Sequence, residues 1–272
     1  MTKTFNPNDS AIRIPSLLSL LKPFFSILKK MSPLEAKGNR PLQMTFEDQL
    51  KALILFHLEE HDSGRHLIDV LEKDVFAKKE IAPGKGIKKS AFFEALNTRG
   101  LEQLLFVFNE LYAQASKVLP KEHGDLGDLV SIDDSLIDAV LSMHWADYRK
   151  GANKAKAYMG FDLNHCIPRK IYLTDGIEIF FGWWKKHLRV YHLIARSEYG
   201  LMVQILAGLI TYLLFAIYCN DYHNEKVSIQ RVRDLRIKIK NESIMLSGDN
   251  SLNLYQNALD DYFNRLQPFA KT

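Results

Sequence analysis

Cysteine is nearly missing from this sequence: Cys166 and Cys219 are the two thiols in 272 residues. They form neither a metal-ligand spacing nor a disulfide framework, which excludes a disulfide-stapled scaffold and suits a reducing, cytoplasmic compartment. Charge of one sign is also lacking. Thirty-six Lys and Arg against 32 Asp and Glu leave a net charge of +4, so any nucleic-acid binding has to come from local basic patches. No internal repeat is found, and no export signal: Lys22 and Pro23 interrupt the apolar run 17–28, with no small-residue cleavage pattern after it. What is present is ordinary for a globular protein, 47% hydrophobic and 25% charged residues, in a length that makes one large or two small domains.

One long run stands apart. Residues 199–220 (YGLMVQILAGLITYLLFAIYCN) carry no charge and are long enough to cross a bilayer, with Lys185, Lys186, Arg189 and Arg196 on the upstream side. Gln204 and Thr211 lie inside the run and argue for a buried core helix instead. Hydropathy alone leaves both readings open.

Residues 1–120 read as helices. Apolar residues at Leu17, Leu18, Leu21, Phe24, Phe25 and Leu28 follow a spacing near 3.6. Thr45 and Asp48 predict a helix start before the stripe Leu50, Leu53, Ile54 and Leu58. A third helix is expected over 65–78, followed by a Lys- and Gly-rich loop over 78–89. Ser90 is the expected N-cap of a helix holding Phe92, Phe93 and Leu96, and a turn at 97–100 leads into a helix over 101–117. The loop sequence PGKGIKKS has no glycine before its Lys-Ser pair and no strand leading into it, so a phosphate-binding loop is rejected. Lys85, Lys88 and Lys89 before a helical hairpin fit a grip on DNA phosphates and fit a solvated surface loop equally well. His57-Leu58-Glu59-Glu60-His61 matches an inverted zinc-protease signature. His57 continues the apolar stripe and no third ligand is identifiable, so an ordinary helix is expected there.

From residue 126 the pattern changes. Strands are expected at 129–132, ending at Asp133, and near 157–163 and 169–174. A basic connector over 146–156 holds Arg149, Lys150, Lys154 and Lys156. An amphipathic helix over 227–240 carries Arg231, Arg233 and Arg236, and a further amphipathic segment spans 252–266. Asp133 at a strand end and Glu178 early on the next helix could share a divalent ion, although carboxylates so placed are more often structural.

The blocks SIDDSLID (131–138), ADYRKGANKAKAYMGFDLN (146–164) and IPRKIYLTDG (167–176), with the helix 177–214, resemble DDE transposases of bacterial insertion sequences, in the insertion sequence four family. The resemblance covers roughly residues 1–240. It implies DNA binding and transposition through a ribonuclease-H-like core, with Asp133, Glu178 and Lys185 as catalytic residues. It also implies Mg2+ or Mn2+ on Asp133 and Glu178, DNA element ends as partner, and a homodimer or a heteromer with intact transposase. It makes 199–220 a buried helix rather than a membrane segment.

The departures from the family pattern are specific. Thr174 and Ile171 stand where an arginine and a tyrosine belong before Glu178, and the second catalytic aspartate and the β-rich insertion after it have no counterpart. An in-frame deletion joined near 176/177 accounts for all of these. Neither Asp162 nor Asp175 occupies the missing position. The expected fold class is therefore mainly α with a small α/β part: a helical N-terminal domain (1–120), a truncated ribonuclease-H-like core (126–240) and a tail with a helix (241–272). The expected function is DNA binding with cleavage and strand transfer lost. The alternatives are a DNA-binding inhibitor or an inert remnant of a transposase, a minimal metal nuclease and, furthest down, a membrane-anchored helical protein.

Overall fold

The computed structural model of the chain describes residues 16–34, 42–59, 61, 63–138, 147–149, 152–174 and 194–246. The helical half opens with α1 (Ser16–Leu28) and α2 (Phe46–Leu58). Thr45 Oγ1 accepts from the Asp48 N–H, and the Asp48 carboxylate accepts from the Thr45 N–H. This reciprocal cap sets the start of α2 where the sequence predicts it. The single helix expected over 65–78 is two, α3 (Gly64–Lys73) and α4 (Val75–Glu80). The break falls at Asp74, whose backbone is extended and whose carboxylate accepts from the Ala77 N–H to start α4.

α5 (Lys89–Thr98) and α6 (Leu101–Val118) meet at Gly100, which takes a left-handed φ of 89° that glycine adopts without strain. Ser90 is not the cap of α5. Lys88 holds that position with no side-chain cap bond, and Ser90 lies inside the first turn.

Four antiparallel strands follow: β1 (Val130–Asp138), β2 (Asp147–Arg149), β3 (Ala152–Asp162) and β4 (Ile167–Thr174). β3 is central, paired with β1 along one edge and β4 along the other, and its first residues pair with β2. The stretch expected as a basic connector is therefore largely strand. Its alternation of lysine and alanine from Lys154 to Ala157 is a period-two pattern that a sheet satisfies. Among the described residues the fold is mainly helical with this small sheet.

α7 (Glu198–His223) is the 26-residue helix that the uncharged run forms. It packs against α1, α2, α5, α6 and β4, and apolar side chains cover its whole circumference, as in a helix enclosed by protein. One cluster of buried apolar residues extends from Leu17 on α1 to Ile239 on α8 (Ile229–Leu246), so the core crosses the boundary expected near residue 120. The second amphipathic segment, 252–266, lies outside the described residues.

The polar residues inside α7 each have a partner. Gln204, fully buried, accepts through Oε1 from the backbone N–H groups of Ile194 (3.0 Å) and Ala195 (3.4 Å). Thr211 donates to the Ala207 carbonyl at 2.7 Å. Gly208 leaves room for the His57 ring, since a Cβ there would lie 3.3 Å from it. His57 Nε2 sits 3.2 Å from the Gln204 carbonyl oxygen, a contact that places the ring proton on Nε2. His57 is thus part of the helix packing. α8 is tied across the core by Glu242, whose carboxylate accepts from Ser16 N–H and Oγ–H at the start of α1.

The membrane and core readings of α7 predict opposite effects for Gln204→Leu. In the fold described, the substitution leaves two buried N–H groups unpaired and costs about 2–4 kcal/mol. Urea denaturation in detergent-free buffer measures this. An unchanged or raised midpoint would contradict the role given to Gln204.

Candidate functional site

Asp133 is not at a strand end. It is the fourth residue of β1, and its register partner is Met159 on β3, which in turn faces Ile171 on β4. Met159 and Ile171 are both buried, so the row that contains Asp133 runs through apolar positions and supplies no second carboxylate. Ser131 and Ser135, two residues away on β1, are equally poor in metal-ligating character. Glu178 and Lys185, the other expected catalytic residues, lie outside the described residues, as does the junction near 176/177.

Asp162, at the end of β3, is a buried acid of the same sheet, 1% exposed. Its Oδ2 accepts from Tyr112 Oη on α6 at 2.9 Å and lies 2.9 Å from His165 Nδ1. Its Oδ1 accepts from the backbone N–H groups of Asn164 (2.9 Å) and His165 (3.2 Å). Burial works to raise its pKa, but the hydrogen bonds from His165 and Tyr112 outweigh that and hold the carboxyl below the usual aspartate range. On the other side of the bond, burial and the Asp162 carboxylate push the Tyr112 phenol up to about 12. With both oxygens occupied, Asp162 is a structural carboxylate.

Asn164 in the same β3–β4 turn does the rest of the joining. Its Nδ2 donates to the carbonyls of Glu122 (3.0 Å) and Gly127 (3.0 Å), and its Oδ1 accepts from Leu129 N–H at 2.7 Å. The Glu122 N–H donates to the Asn164 carbonyl at 2.7 Å. One buried amide thus fixes the loop that leads from α6 into β1. Sequence reading placed a turn at Asn164 but missed these contacts. Asp-Leu-Asn-His is a turn signal, whereas partners 35 to 42 residues away leave no local trace.

Beside this turn a cavity of about 290 Å3 opens between residues 119–122 and the C-terminal end of α7, with His165, Cys166, Tyr212 and Lys226 among its walls. Its charged residues are paired: Lys226 with Glu122, and Glu225 with Arg231. Burial pushes the Cys166 thiol up, which keeps it protonated and a poor nucleophile at neutral pH. Among the described residues, no group of three or more His, Cys, Asp or Glu is placed to hold a metal ion.

The residues expected to bind DNA fall into three groups. Lys85, Lys88 and Lys89 are exposed, in the loop before α5 and at its first residue. Arg149 ends β2, and Lys154 and Lys156 lie in β3 opposite Asp138 and Leu136; Lys150 lies outside the described residues. On α8 the three arginines differ. Arg231 makes a two-pronged ion pair with Glu225 at 2.6 and 2.8 Å, and Arg236 donates to the His57 carbonyl at 3.4 Å. Arg233 is exposed. The α5–α6 hairpin does not present a basic reading helix either, because the exposed positions of α6 include Glu102, Leu105, Phe106, Asn109 and Ala113.

No family model matches the chain, and neither does any curated protein or solved structure.

Because the folded pKa of Asp162 lies below its unfolded value of about 3.9, its contribution is fully present above that value. It is lost as pH falls through the folded pKa. Asp162→Asn is expected to cost about 1–3 kcal/mol at pH 7. The gap to the unsubstituted protein should close below about pH 4. Denaturant titrations at pH 7 and at pH 3 measure both; a gap independent of pH would show that the ionised carboxylate is not what matters.

Proposed function

We propose that this chain is a DNA-binding protein of insertion-sequence transposase descent, of the insertion sequence four group, which engages DNA without cutting or rejoining it. Descent is supported by the sequence blocks at 131–138, 146–164 and 167–176, and by the incomplete signature around Glu178. The helical half followed by an antiparallel sheet with Asp133 in its first strand is compatible with a truncated ribonuclease-H-like core.

DNA binding is carried by one observation. Residues 78–89 contain five lysines and a single acid, Glu80, and Lys85, Lys88 and Lys89 are all exposed. An exposed cluster of one sign on a protein of nearly balanced charge is a footprint for phosphates. The partners proposed are DNA element ends, with a second copy or an intact transposase as protein partner, in the cytoplasm and not at a membrane. Occupying element ends makes the chain an inhibitor of transposition; a remnant with no such preference is the alternative.

Mg2+ or Mn2+ is the cofactor that the family resemblance implies, on Asp133 and Glu178, and when bound it would activate water for phosphodiester cleavage. Glu178 lies outside the described residues, so they do not bring the Asp133–Glu178 pair together. The row of Asp133 is apolar, and both oxygens of Asp162 are in hydrogen bonds.

Gel shifts with duplexes carrying the element termini and with random duplexes, over about 50–200 mM salt, test the binding. Preference for the termini is expected; equal affinity would sink the specific version, and no binding at low salt would sink DNA binding altogether. Supercoiled plasmid with Mg2+ or Mn2+ should stay intact. Nicking that disappears in Asp133→Ala would show that the core still cuts.

A further inference from the structure

Two basic segments about 150 residues apart in sequence are brought side by side by the fold. α4 packs directly on α8, with Phe76 and Ala77 of the one and Val232, Leu235 and Ile239 of the other all buried. The contact leaves Lys78 and Lys79 exposed on α4, continuous in sequence with the Lys85–Lys88–Lys89 loop. On α8 it leaves Arg233 and Lys238 exposed. The orientation of α8 is held at its middle by Arg236 on the His57 carbonyl and nearer its C-terminal end by Glu242 on the start of α1. Lys78, Lys85, Lys88, Lys89, Arg233 and Lys238 are in no ion pair among the described residues, whereas Arg231 is neutralised by Glu225.

From this we infer that the loop before α5, α4 and the outer face of α8 form one composite surface for the phosphate backbone of a single DNA duplex. The inference rests on the DNA-binding function proposed above and adds which elements act together. To the five lysines of 78–89, α8 adds Arg233 and Lys238, and a duplex carries a phosphate charge about every 1.7 Å along its axis. A surface built from separated elements contacts more than one stretch of backbone. That positions a protein on DNA without reading its sequence.

The test is the salt dependence of binding to one 20-base-pair duplex for the full chain. Lys85→Ala/Lys88→Ala/Lys89→Ala is expected to lower the slope of log affinity against log salt by about 2–3, at about 0.9 for each phosphate contact. Arg233→Ala/Lys238→Ala should lower it by about 1–2 on the same duplex. Replacing the same lysines by arginine should restore the slope. A loop effect with no α8 effect would overturn the composite surface while leaving DNA binding in place. Binding that neither set alters would also overturn it. A wild-type chain with no salt-dependent affinity for DNA would instead remove the function on which the inference rests. Tighter association with anionic vesicles than with duplex would assign the surface to lipid and overturn the inference.

Discussion

Enclosing α7 is the constraint that places the other helices. Between Glu198 and Asp221 it has no charged residue, so no side of it can be left in water without a large apolar penalty, about 25 cal/mol for each Å2 exposed. α1, α2, α5, α6 and β4 pack around it. The polar atoms within it are the ones that orient this cover. Gln204 holds the chain entering the helix, Gly208 receives the His57 ring, and Thr211 returns its proton to the backbone.

The sheet is attached to this helical body through the β3–β4 turn. Asp162, Asn164 and His165 connect α6, the loop 122–129 and the strands, and Tyr212 on α7 donates to the Cys166 carbonyl at 3.1 Å. A buried carboxylate with four donors and a buried amide with both ends paired are costly to disturb, because each lost partner leaves a desolvated group behind. The same economy removes Asp162 from any catalytic role. An aspartate cannot hold this junction with both oxygens and also bind a metal ion.

On function, the contrast among the arginines of α8 matters more than their number. Arg231 and Arg236 are absorbed by the protein itself, one by an acid and one by a carbonyl, while Arg233 and Lys238 face solvent on a helix that α4 abuts. Phosphate recognition depends on cations that have no better partner nearby. The phosphate recognition proposed for this chain is therefore assigned to the assembled surface rather than to basic composition.

Sequence alone determined the features that rest on short-range chemistry. The Thr45–Asp48 cap, the 3.6-residue stripes of the first helices, the length of α7 and the presence of strands after residue 126 all follow from neighbours within a few turns. Tertiary structure decided what local pattern leaves ambiguous. The split of α3 from α4 and the extension of β3 through the lysine-rich stretch depended on which hydrogen bonds formed. The placement of Asp133 within a strand, opposite Met159, depended on register, which no spacing rule fixes. The work of Asp162 and Asn164, and the meeting of α4 with α8, involve partners tens to hundreds of residues apart, and only packing can bring such groups together.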